Sequence, residues 1–435
     1  MLSPLFRHFI ALYHFMQSVR RDCKETKMIV YYYNKENGGK CHMQSFTYHV
    51  PTKVIFGAGT EQQAGSAVKA SGGSNVLVLY GGGSAVKSGL LDRVTASLSE
   101  VGLIWTAKGG VQPNPILGFV NETIEACKGN GTDFILAVGG GSVIDTAKAV
   151  AYGLAVPEVP VWDYFTGKAT QKAALPIGCV LTIAAAGSET SDSCVITNEA
   201  TGEKRGSNTD FNRPRFAILD PELTYTLPPY QTACGVVDIM MHTMDRYFNS
   251  APDNELTDAL SEALLRTTIQ YGVEAMEHPE SYQARSELMW CGSISHNNLT
   301  GLGRTKDFSV HQFGHELSGK YGIAHGGSLA IMWPAWAKAV CKTDYARFAR
   351  FARNVWGVVE SDDRKAALAG IAAAEKYFKS LSLPVTLGES EIGVVPPEDM
   401  EALALGCSRN RSRSVGSFCP LDHDAIRAVY EAANI

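Results

Sequence analysis

The chain has 435 residues, 45% hydrophobic and 19% charged, with a net charge of −5. This composition is that of a globular chain with room for two or three domains. It holds no basic block that would give a nucleic-acid footprint and no run of about 18 apolar residues that would span a membrane. The ten cysteines form no CxxC pair, a spread that fits free thiols in a reducing, cytoplasmic setting rather than a disulfide framework.

Residues 1–42 contain Arg7, Arg20, Arg21 and Lys24 but no glycine-punctuated pattern. The stretch reads as an N-terminal extension outside the fold: sequence upstream of the true start or a tail in the first place, an organelle-targeting segment in the second. From Met43 the signals alternate. Asn75–Tyr80 (NVLVLY) is a short apolar run that enters Gly81-Gly82-Gly83-Ser84, followed by helical spacing over Val86–Leu98. Phe134–Val138 does the same into Gly139-Gly140-Gly141-Ser142 and a helical stretch through Tyr152, and Ile177–Ile183 is a third apolar run. Strands alternating with helices predict a Rossmann-like α/β domain with a parallel sheet over residues 43–228. After Pro228-Pro229 the spacing is helical almost throughout, from Thr232–Phe248 to Pro397–Leu405. This predicts an all-α domain over residues 229–435.

A strand running into glycines and then a helix suits a phosphate, because glycine lets backbone N–H groups approach and the helix N-terminus is partly positive. Neither turn is a full GxGxxG and neither is followed by GK[ST], so one such turn alone is also compatible with a tight connection. Two in one α/β half favour a dinucleotide. An NAD site places an acid near the adenosine ribose. Here the sequence after NVLVLY is GGGSAVKSG, without an acid, so Ser84 and Lys87 suit the 2′-phosphate of NADP(H).

In the helical half, Asp238 and His242 are four apart and share a helix face. His311, His315 and His325 lie within one short stretch that ends in a glycine turn. One carboxylate with three imidazoles is a candidate shell for Fe²⁺ or Zn²⁺ with a position left for substrate. The zinc-peptidase pattern HExxH is not present, because Glu316 follows the second histidine of the pair.

At these residues the chain resembles the iron-containing alcohol dehydrogenase family, in its butanol dehydrogenase-like, NADPH-dependent aldehyde reductase branch. The likeness runs from about Met43 to the C-terminus through an ordered set of motifs. These include FTYHVPTKVIFGAG, YGGGSAVKSGLLDRV, GGVQPNP, AVGGGSVIDTAKAVA, LTIAAAGSETS, GVVDIMMHTMDRY, HQFGHELSGKYGIAHG and NRSRSVGSFCPLD. The resemblance implies a dehydroquinate synthase-like fold with the site in the cleft between its two domains. It implies metal ligation by Asp238, His242, His311 and His325, and a proton-relay or positioning role for His315. It implies that Gly82, Gly83 and Ser84 meet the 2′-phosphate, and that Asn114, Gly140, Gly141, Ser142 and Asp145 lie near the rest of the dinucleotide. Thr182, Ser191 and Lys204 match further cofactor positions. The family's usual Glu is Asp245 here, and AAAGSE lacks a Thr often present before its glycine. The expected activity is hydride transfer between the nicotinamide and a small alcohol or aldehyde, by a homodimer with no nucleic-acid or membrane partner. A lyase or synthase on the same fold and a non-catalytic metal-binding relative are the alternatives. The first would need basic residues for a phosphorylated substrate; Arg304, Lys306 and Lys320 lie near the metal helix but form no convincing set.

Overall fold

A computed structural model describes residues 43–249 and 254–435. The expectations for residues 1–42, and Cys23 and Cys41 with them, lie outside the described residues. In chain order the strands are β1 (Lys53–Phe56), β2 (Asn75–Tyr80), β3 (Ile104–Lys108), β4 (Phe134–Gly139), β5 (Ile177–Leu181), β6 (Ser193–Asn198), β7 (Glu203–Asn208) and β8 (Phe216–Leu219). The helices among them are α1 (Ala64–Ala70), α2 (Ser84–Lys87), α3 (Leu90–Glu100), α4 (Leu117–Cys127), α5 (Gly141–Ala155) and α6 (Val161–Thr166). Helices then follow without further strands: α7 (Pro229–Tyr247), α8 (Glu255–Glu277), α9 (Tyr282–His296), α10 (Ser309–Tyr321), α11 (His325–Val340), α12 (Tyr345–Trp356), α13 (Asp363–Ser380), α14 (Pro397–Cys407) and α15 (His423–Ala433).

Six strands form one parallel sheet in the order β1-β8-β5-β4-β2-β3. Its central strands alternate between two apolar layers, as a sheet covered on both faces must. Leu77, Leu79, Ile135 and Ala137 pack on one side, and Val76, Val78, Phe134 and Leu136 on the other. The connection from β2 runs outward to β3, whereas β4 returns to the other flank of β2. The strand ends therefore separate between β2 and β4, and both glycine turns open into that crevice.

Two details depart from the sequence reading. The helix expected over Val86–Leu98 is broken at Gly89, whose φ of 69° ends α2 and starts α3. The pair β6–β7 is an antiparallel ribbon outside the main sheet, and the polar residues of β7 (EKRGSN) carry no strand signal.

The helical part is organised around α7, whose residues from Thr232 to Tyr247 are all buried. A helix buried on every side must be the core of its bundle. Met240, Met244, Phe248, Trp333, Trp336 and Phe348 pack together around it. Two glycines set how closely other segments approach α7. A Cβ on Gly326, at the start of α11, would lie 2.0 Å from the Cys234 carbonyl oxygen, and one on Gly235 would lie 2.3 Å from that of Ala184. Both contacts are backbone to backbone, so only glycine permits them. Among the described residues, no helix is long and apolar enough to cross a membrane, and eight cysteines, from Cys127 to Cys419, are free thiols.

Candidate metal and dinucleotide site

A cleft of about 2090 Å³ runs from the strand ends to the helical part and is lined by residues of both. Its helical wall carries the histidines. Asp238 and His242 project from α7, His311 and His315 from α10, and His325 from the first residue of α11. Asp238 Oδ1 lies 3.4 Å from His242 Nε2, 3.8 Å from His311 Nε2 and 3.9 Å from His325 Nε2. Four ligands held at about 2.1 Å in a tetrahedral shell would stand about 3.4 Å apart, so the first of these spacings matches it and the other two are slightly wide. The ligand atoms of Asp238, His242 and His311 all fall within 4.8 Å of one another. His325 reaches the same carboxylate oxygen but stands outside that mutual set, and it is the more exposed partner.

Asp238 Oδ1 and His311 Nε2 are buried without a hydrogen-bond partner. A buried polar atom without a partner costs free energy unless something satisfies it. A divalent cation would do so, and the carboxylate–imidazole donor set suits a first-row metal. The residues fit the ion. Burial, then His296 and His311, push His242 well below the usual imidazole range. Burial, then Lys204, do the same to His325. Both shifts favour the neutral ring, the form that ligation needs. His311 departs from this pattern: burial opposes its charge, but Asp245 and Asp238 outweigh burial and raise it.

Asp245 explains that exception. Its carboxylate accepts a hydrogen bond from His311 Nδ1 at 2.5 Å, which leaves Nε2 facing Asp238. A carboxylate behind an imidazole fixes its tautomer and strengthens it as a ligand. The sequence reading treated Asp245 only as a departure from the family's Glu. Its spacing could have shown more, because residues 238, 242 and 245 repeat at i, i+4 and i+7 on one face of α7. His296 was also missed. Its ring stacks on His242 at 3.9 Å between centroids, and its Nδ1 donates to the Ala186 carbonyl. It lies in a separate helix, α9, where nothing in the local pattern marks it.

His315 lies one turn beyond His311, 5.3 Å from His325 between ring centroids. Burial, followed by Lys204 and His311, holds its pKa well below the ordinary value. Lys204 reaches the cleft from β7 and donates to Asn114 Oδ1 at 2.8 Å. Burial lowers its pKa to about 8, opposed by Asp238 and Asp145.

The opposite wall is mostly backbone. Gly140 precedes α5, and the cleft is lined there by Gly140, Gly141 and Ser142. The first N–H groups of a helix have no intrahelical acceptors and suit an anion. Gly82 and Ser84 line the cleft at the end of β2; Gly83, with φ 125°, shapes the turn but does not line it. Asp145 faces the cleft, but its two oxygens accept from Ser188 Oγ at 2.6 Å and Val195 N at 3.0 Å. It thereby pins the loop that follows β5. Thr182 and Ser191 line the same stretch, Ser191 being fully buried. Of the three basic residues named for a synthase, Arg304 is paired with Asp258 and Lys320 with Asp399. Only Lys306 faces the cleft, bonded to Asn298.

The chain is similar to known proteins. The family described as iron-containing alcohol dehydrogenase matches residues 51–221, and the Fe-containing alcohol dehydrogenase family, C-terminal, matches residues 232–434. The chain is 39% identical over 391 residues to the NADH-dependent butanol dehydrogenase A of Clostridium acetobutylicum, covering 89% of this chain and 99% of that protein. It is 36% identical over 393 residues to the NADPH-dependent aldehyde reductase YqhD of Escherichia coli, covering 90% and 100%. The crystal structure of the NADH-dependent butanol dehydrogenase A from Thermotoga maritima is similar to it with a TM-score of 0.87 at 37% identity, covering 91% of this chain and 100% of that one.

Proposed function

Because the chain belongs to the iron-containing alcohol dehydrogenase family, we propose that it is a metal-dependent, NADP(H)-using aldehyde reductase and alcohol dehydrogenase. One observation carries this reading: a buried carboxylate oxygen faces three imidazole nitrogens at 3.4–3.9 Å, across a cleft from glycine turns at a strand switch point. When bound, the divalent ion supplies Lewis acidity toward a carbonyl oxygen and the nicotinamide supplies the hydride.

The chain's own residues do the rest. Asp238, His242, His311 and His325 hold the ion, and Asp245 keeps His311 in the ligating tautomer. Gly140, Gly141 and Ser142 receive the pyrophosphate. Asp145 holds the loop at Ser188 and β6 at Val195, while Lys204 and Asn114, joined by a hydrogen bond, would orient the dinucleotide. His315, which lines the cleft one turn beyond His311, would relay a proton from solvent through its imidazole to the oxygen of the product alcohol. NADP(H) is favoured over NAD(H) because Gly82 and Ser84 bring no carboxylate to the cleft where β2 ends. The free thiols support work in a reducing compartment, the cytoplasm. We assign residues 43–228 to the dinucleotide and 229–435 to the metal, in a homodimer acting on a small alcohol or aldehyde.

The test is metal analysis of the full chain together with oxidation of NADPH and NADH at 340 nm with butanal. Metal bound in about one equivalent with steady NADPH oxidation supports the reading. Cofactor bound without net oxidation on any aldehyde would favour a lyase or a non-catalytic relative.

A further inference from the structure

The geometry points to an anion-receiving end of the same cleft, so that the preferred substrate is an aldehyde carrying a carboxylate at the far end of a short chain. This rests on the oxidoreductase reading and narrows its substrate class.

The feature is the segment that follows α14. Arg409, Asn410 and Arg411 have φ of 49°, 55° and 65°. Left-handed backbone is costly for residues with side chains and persists only where the surroundings impose it. Here they do. Asn410 N donates to the Leu405 carbonyl at 2.8 Å, and Arg413 N to that of Ser408 at 3.2 Å. Ser408 Oγ accepts from Arg411 N at 3.1 Å and meets His423 Nδ1 at 3.2 Å. His423 is in turn held by Glu401 at 3.2 Å.

The outcome is two guanidinium groups set into the cleft wall. Arg413 Nη2 donates to Cys407 O at 2.9 Å and to Gln312 Oε1 at 2.7 Å, so it is fixed against α10 beside the residue that follows His311. The Arg409 guanidinium makes no hydrogen bond or ion pair among the described residues. Both line the cleft, and neither has a carboxylate within ion-pair distance among the described residues. Arg205, from β7, also lines it but is paired with Glu203.

The acid that faces this group is Glu316, next to His315. Its carboxylate has no hydrogen bond or ion pair among the described residues, and a Cβ on Gly406 would lie 2.2 Å from its Oε2. Burial pushes its carboxyl up to about 7, although Arg413 pulls it down. One half-neutralised acid does not balance two guanidinium groups with free donors. An incoming carboxylate would, because the planar guanidinium fork matches it. Gln312, to which Arg413 is bonded, adjoins His311 on α10, so the cation lies near the reacting end, as a short chain requires.

The experiment compares 4-oxobutanoate with butanal, which have the same chain length. It uses the full chain with bound metal and saturating NADPH, followed at 340 nm. The expected result is a kcat/KM ratio favouring the oxo acid by about 10-fold or more. Arg409→Ala should reduce that ratio about 10-fold through KM, Arg409→Lys should restore part of it, and added salt should weaken it. Equal use of the two aldehydes, or a ratio that Arg409→Ala leaves intact, overturns the inference. So does a rise in KM for NADPH in place of the oxo acid, which would assign Arg409 to the dinucleotide. Turnover of butanal without preference overturns this inference alone; no NADPH oxidation with either aldehyde overturns the oxidoreductase reading beneath it.

Discussion

The two walls of the cleft are built by opposite means. At the strand ends, Gly81–Gly83 and Gly139–Gly141 offer backbone, and the first of these turns has room for more: a Cβ on Gly82 would meet nothing within 4 Å, whereas one on Gly140 would lie 2.4 Å from Ile183 Cγ2. On the helical side the surface is side chain, and α7, α10 and α11 are packed so tightly that Gly326 touches the backbone at Cys234. At Gly82 the first wall can be re-specified by adding a group. The second can only be damaged. This is the difference between a site that recognises a long ligand by approach and one that grips an ion through converging atoms.

The largest expected effect lies on the second wall. His311→Ala should lose metal and about 100–1000-fold in kcat, while circular dichroism shows the helical content retained. Full activity in metal-free protein would break the comparison. Asp245→Asn keeps all four proposed ligands but weakens the acceptor behind His311. It should lower metal affinity about 10–100-fold, measured by competition with a chelator. Gly326→Ala should force α11 away from α7, costing about 1–3 kcal/mol in stability and loosening metal with it. A variant with unchanged melting temperature and metal content would show that the close approach is not needed.

The first wall should respond more mildly. Gly82→Asp should leave stability alone and shift the NADPH-to-NADH ratio of kcat/KM about 10-fold toward NADH, by repelling the 2′-phosphate and offering an acceptor to the ribose. An unchanged ratio would mean that the adenosine end lies elsewhere. The smallest effect concerns Glu316, whose carboxyl burial raises from 4.5 to about 7. The folded state then holds its proton more tightly than the unfolded chain, so stability falls as pH rises through that interval. Glu316→Gln should flatten the fall in melting temperature between pH 5 and pH 8.

How much of this was legible depended on whether the signal was local. β2, β4 and β5 are continuous apolar runs, two of them ending in glycine triplets, and the sequence marks them clearly. β3 (IWTAK) and β7 (EKRGSN) lie where one or both faces meet water, so no apolar run announces them. β1 and β8 have only four residues each. Asp238 with His242, and the density of histidine between 311 and 325, drew attention through spacing along one helix. His296 and Arg413 did not, because each gains its place from a contact with a distant segment: Ala186 for one, Gln312 for the other. The Asn114–Lys204 bond, between residues 90 apart, is of the same kind. It could be foreseen only through the family likeness.

One consequence follows from α7 carrying Asp238, His242 and Asp245 together. Each residue of an α-helix advances the azimuth by about 100°, and seven residues fall about 20° short of two full turns. Inserting or deleting a single amino acid between positions 238 and 245 would swing the supporting carboxylate to the wrong side of the rod, whatever its identity. Loops elsewhere can lengthen or shrink over evolutionary time. Along this stretch, counting itself is under selection.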